Sequence, residues 1–158
     1  MRASEFLIEL RDRLSQWTKK QFPTWPDYVV FDWIYKQAKY IQDHEQLEDW
    51  IQGIKKDYPV KQWRLETLDI TLDIFTPKTQ GLIKKREGGT VNPYGIPKDT
   101  ERHDTQAAMI KQQGVSKEPI IVFKTPQGYD LLEGWHRTIQ HLQAYPNGYR
   151  GPAWVGYL

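Results

Sequence analysis

EPIIVFKTPQGYDLLEGWHRTIQHL, residues Glu118 to Leu142, reads as strand, turn, strand and a sharp turn into a helix. Ile120, Ile121, Val122 and Phe123 form a short β-branched and aromatic run, which Thr125-Pro126-Gln127-Gly128 interrupts. A second run spans Tyr129 to Leu132. Beyond Glu133-Gly134, Trp135, Ile139 and Leu142 recur at helical spacing, so Glu133-Gly134 marks a strand-to-helix junction.

Such a junction carries chemistry in its backbone. The first amides of a helix lack intrahelical acceptors and lie at the positive end of its dipole, so they attract anions, phosphates above all. Gly134 permits close approach to the backbone, His136 and Arg137 supply an imidazole and a fixed guanidinium, and Glu133 adds a carboxylate on the strand side. An acid, a histidine and an arginine at one turn can bind a phosphoryl group and, with a metal, activate water or a hydroxyl. The plainer reading is a solvated helix start, with Glu133 near the dipole's positive end and Trp135 filling the core.

From Leu68 onward the ordered pieces resemble the ParB/sulfiredoxin superfamily, in particular small phage-type ParB-like nuclease domains. Asn92-Pro93 resembles the family's Asn-Pro after its first strand, and Gly114-Val115 with Pro119-Ile120-Ile121-Val122 resembles its Gly-Val-x-x-Pro-Ile-x-Val passage. Tyr129 to Arg137 resembles the strand plus Gly-x-His-Arg box, and Pro152-Ala153-Trp154-Val155 the closing strand. The resemblance implies an α+β fold, a small mixed β-sheet with helices, in which Gly134, Trp135, His136 and Arg137 hold a nucleotide phosphate. It implies that Glu133 and His136 are catalytic and that Glu133 is the metal ligand, with Mg²⁺ and ATP or CTP as cofactors. Arg102 resembles the family arginine after Asn-Pro, which implies that it is a further phosphate ligand. Trp135 stands where sulfiredoxins place a reactive cysteine, and a chain without cysteine excludes that chemistry.

Length and charge set the remaining bounds. The 158 residues suit one full domain with an extension, and 22 basic against 20 acidic residues leave a net charge of only +2. Nucleic-acid binding would therefore need a local patch. Between Lys78 and Arg102, six basic residues face three acidic ones, and Lys84, Lys85 and Arg86 are expected to contact a phosphate backbone or to form a solvated turn. No apolar run approaches the roughly 20 residues of a bilayer span, so no membrane is expected. The expected location is the cytoplasm, that of the host if the gene is a phage's.

Outside the box, residues 1–60 read as a helical extension and 61–158 as the ParB/sulfiredoxin-like domain. Leu7, Leu10, Leu14 and Trp17 predict a helix from Ala3 to Lys20; further helices begin near Asp27 and Glu45, and Pro59 closes the set. The tryptophans here read as core, with an exposed ligand platform as the alternative. From Trp63 to Phe75 the period shortens to two residues and predicts strand structure. Asp69, Thr71 and Asp73 read as the wet face of a sheet, or alternatively as metal ligands. Pro77 to Asp99, rich in glycine and proline, reads as a long loop, Asp104 to Gln113 as a helix, and Ala153 to Gly156 as a last strand.

Three functions are compatible with these features. The first is a nucleotide or phosphodiester hydrolase of ParB-like nuclease type, with a nucleotide or nucleic acid as partner. The second is a nucleotide-dependent kinase acting on a small hydroxyl metabolite. The third is a non-catalytic module for nucleic acid or protein.

Overall fold

The computed structural model describes residues 3–88 and 108–158. The fold is α+β, a four-stranded mixed sheet with helices. Contacts divide the chain into two compact units, Met1–Trp63 with Tyr157–Leu158, and Arg64–Gly156.

The first unit is helical. Helix α1 (Ala3–Gln21) buries Thr18, whose hydroxyl donates to the Leu14 carbonyl at 2.7 Å, and is followed by the buried Phe22. Helix α2 (Asp27–Val29), a π-helical turn (Val30–Tyr35) and α3 (Lys36–Ala38) follow one another without a break, burying Val29, Val30, Trp33, Ile34 and Ala38. Helix α4 (His44–Asp57) starts one residue before the position that sequence suggests. Asp43 is its N-cap, accepting from the Gln46 amide at 2.9 Å and satisfying one of the orphan donors of the first turn. Trp25 and Trp33 stack with ring centroids 6.0 Å apart, and Trp25 meets Trp63 edge-on at 5.1 Å. Trp25 and Trp33 are buried and Trp50 is half-buried, so aromatic packing builds this core.

The sheet order is β1-β4-β2-β3, with β1 at Gln62–Ile70, β2 at Ile120–Thr125, β3 at Gly128–Glu133 and β4 at Tyr149–Tyr157; all of it from Arg64 to Gly156 belongs to the second unit. Strand β2 is flanked on both sides. It runs parallel to β4, with Val122 opposite Val155, and antiparallel to β3. This position explains why Ile120 through Phe123 are all buried, as expected of an interior strand covered on both faces. Helix α6 (Trp135–Ala144) leads from β3 towards β4 and buries Thr138, Ile139, His141, Leu142 and Ala144.

Two expectations are corrected here. Strand structure stops at Ile70 instead of Phe75, because Leu72–Ile74 form a 3₁₀ turn; Phe75 then bridges Tyr129 in parallel. The expected loop from Pro77 is helical over its first half, as α5 (Pro77–Gly88). Its start is specified locally. The Thr76 hydroxyl accepts from the Thr79 amide at 3.3 Å, and Pro77 occupies the first helical position, where its missing N–H is not needed. That hydroxyl also donates to Asp130 at 2.7 Å, fastening the start of α5 to β3. The remainder of the expected loop, with Asn92-Pro93, Arg102, His103 and the first residues of the expected helix from Asp104, lies outside the described residues.

Candidate phosphate-binding turn

The register of β2 against β3 slips just before the turn. Ile121 faces Glu133 while Val122 faces Leu131, so Leu132 is an additional residue in β3. Such a bulge breaks the alternation of side chains, and both Leu131 and Leu132 are consequently buried. The bulge delivers the chain to Gly134, which caps α6 in the left-handed conformation with φ of 95°. A side chain there would be strained and would also collide, since a Cβ atom would lie 2.7 Å from Ile120 Cγ2. Glycine is thus required by the fold at this point, whatever it does for a ligand.

Because Gly134 has no side chain, α6 opens without a side-chain cap. The Thr138 amide is satisfied by the Gly134 carbonyl at 2.9 Å; the amides of Trp135, His136 and Arg137 have no acceptor among the described residues. His136 is exposed beside them, Trp135 and Glu133 are half-buried, and Gly134 is buried. The turn therefore offers donors, an accessible imidazole and a neighbouring carboxylate in one short segment.

Arg137 points back along the strand that precedes it. Its Nη1 donates to the carbonyls of Glu118 at 3.2 Å and Pro119 at 3.0 Å, and Nη2 pairs with the Glu118 carboxylate at 2.9 Å. These two residues immediately precede Ile120, which packs against Gly134, so the guanidinium stays close to the turn. It is already occupied by the protein's own oxygens. Glu118 was given no role by sequence, and no local spacing could have revealed it, since it lies 19 residues before its partner.

The helical course of α5 changes the reading of the basic triplet. Lys84 and Lys85 are exposed near its end, while the Arg86 guanidinium carbon lies 4.5 Å from the centroid of the Trp135 ring. Arg86 thus reaches the first residue of α6. Sequence spacing gave no sign of this contact, because the two residues are far apart in the chain.

His141 is structural. Its Nε2 accepts from the Ser116 amide at 3.0 Å, which leaves Nδ1 to carry the proton and donate to the Arg137 carbonyl at 2.7 Å. Burial holds its pKa below the ordinary 6.5; the hydrogen bond to Arg137 opposes that shift, and the Arg137 charge adds to it. The neighbouring Tyr149 is pushed up to about 12 by burial, against the Thr138 hydroxyl and the Arg137 charge. Among the described residues no group of three or more acidic or histidine side chains is arranged to hold a metal. Asp69 instead pairs with Arg150 at 3.4 Å, and the Thr71 hydroxyl donates to Asp73.

No helix of the described residues is long and apolar enough to cross a membrane. Compared with protein-family models, curated proteins and solved structures, the chain matches none.

Proposed function

We propose that the Arg64–Gly156 unit binds the phosphate of a nucleotide or nucleic acid at the Gly134–Arg137 turn, as a cytoplasmic hydrolase of ParB-like nuclease type. The observation that carries this reading is the opening of α6 by a left-handed glycine with no side-chain cap, beside an exposed histidine. Oriented amides at a dipole's positive end suit phosphate oxygens. The amides of Trp135, His136 and Arg137 would cradle them, His136 would add a contact, and Lys84 and Lys85 would track a longer backbone. Arg102 belongs to the same proposal by its likeness to the family arginine.

In hydrolysis, Glu133 takes a proton from the attacking water, the new P–O bond forms, and the bond to the leaving oxygen breaks as His136 donates its proton there. Glu133 belongs to no group of three acidic or histidine side chains among the described residues that could hold a metal ion. That donor set fits Mg²⁺ only where the nucleotide's phosphates and water complete the coordination, which is the usual habit of this ion. Bound so, Mg²⁺ would neutralise phosphate charge.

The test is calorimetric titration of native protein, His136→Ala and Arg137→Ala with pyrophosphate, ATP, CTP and single-stranded DNA, followed by a Mg²⁺-dependent hydrolysis assay. At least tenfold weaker binding of one ligand by the variants is expected. Equal affinity of all three proteins for every ligand would remove the assignment.

A further inference from the structure

We propose that Glu118 is an internal competitor for the phosphate site, its carboxylate occupying the edge of Arg137 that an incoming phosphate takes over. The inference rests on the phosphate reading of the turn and adds a means of regulating it.

The two halves of the Arg137 guanidinium are held differently. Nη1 is fixed by two backbone carbonyls, those of Glu118 and Pro119, which cannot leave without moving the chain into β2. Nη2 is held by a side-chain carboxylate. The Glu118 side chain is 73% exposed and that of Arg137 25% exposed, so this half of the contact is an easily solvated ion pair. The carbonyls therefore aim the guanidinium while the carboxylate only screens it.

Substitution of one anion for another follows from that asymmetry. A carboxylate and a phosphate present similar oxygen pairs to a guanidinium edge. A doubly charged phosphate stabilised as well by the free amides of α6 would displace Glu118 into solvent, leaving Nη1 and the loop where they are. Release of ligand lets Glu118 return. Any partner that drew Glu118 away would raise the affinity of the turn for phosphate.

The experiment is titration of pyrophosphate into the native protein, Glu118→Gln, Arg137→Gln and Asp69→Asn, the last removing an equal charge that pairs with Arg150 instead. Glu118 is exposed, so its variant should fold as the native chain does. The expected result is a Kd about two- to fivefold lower for Glu118→Gln, the range set by weak exposed pairs, with weaker binding by Arg137→Gln and no gain for Asp69→Asn. Native binding with no gain in Glu118→Gln, or an equal gain in Asp69→Asn, would overturn the competitor role while leaving the phosphate site standing. Absence of binding by both native protein and Glu118→Gln would overturn the phosphate reading and this inference with it.

Discussion

Arg86 stacks on Trp135, its guanidinium carbon 4.5 Å from the ring centroid, and so joins the last turn of α5 to the first residue of α6. The same arginine also lies where a cation favours a helix end, near the negative pole of α5. One side chain thus serves two helices.

Removing it should loosen that junction. Arg86→Ala is expected to cost about 0.5–1 kcal/mol, the usual worth of a partly exposed cation–π pair, and Arg86→Lys less. Urea denaturation followed by tryptophan fluorescence checks this through the midpoint at unchanged slope.

Gly134→Ala should be considerably worse. The left-handed backbone alone costs about 1–3 kcal/mol for a residue with a side chain, and the 2.7 Å approach to Ile120 Cγ2 adds to it. A lower denaturation midpoint is expected for Gly134→Ala, while Gly81→Ala, whose new methyl meets nothing within 4 Å in α5, should be neutral or stabilising.

Thr76→Val should destabilise the start of α5 by about 1–2 kcal/mol, since it removes both the cap and the partner of Asp130. Thr76→Ser keeps the hydroxyl and should recover most of the loss. Hydrogen exchange of the Thr79 amide reports the cap directly.

His141 gives the protein a pH dependence of known sign. Its folded-state pKa lies below the ordinary 6.5, so in acid the unfolded chain binds the proton first. The contribution is complete above that value and is lost as pH falls from there through the folded-state pKa. His141→Gln should be less stable at pH 7.5 but lose less on going to pH 5. Urea midpoints of both proteins at the two pH values decide the matter.

The legible parts of this chain were those whose signal is local. Thr125 to Gly128 punctuates two apolar runs, and Gly134 precedes a helical period, so the hairpin and α6 could be read directly. Helix α5 was missed because Gly81 and Gly88 resemble loop residues and its apolar face is little more than Leu82 and the fully buried Ile83. The Thr76-Pro77 start was nevertheless present in the sequence. For the candidate site, sequence named the residues of the turn but gave no account of what they touch. The Arg137–Glu118 and Arg86–Trp135 contacts arise from strand pairing and helix packing between distant segments, which no spacing along the chain records.

The placement of the closing strand has a consequence for biosynthesis. Of the described strands β4 is the last to leave the ribosome, yet it lies between β1 and β2 and joins them. Until residues from Tyr149 onward emerge, β1 has no neighbour among the described strands, and β2 shows the apolar run Ile120–Phe123 along an unpaired edge. The nascent sheet must therefore wait, exposed to aggregation or to chaperones, for its central piece to arrive.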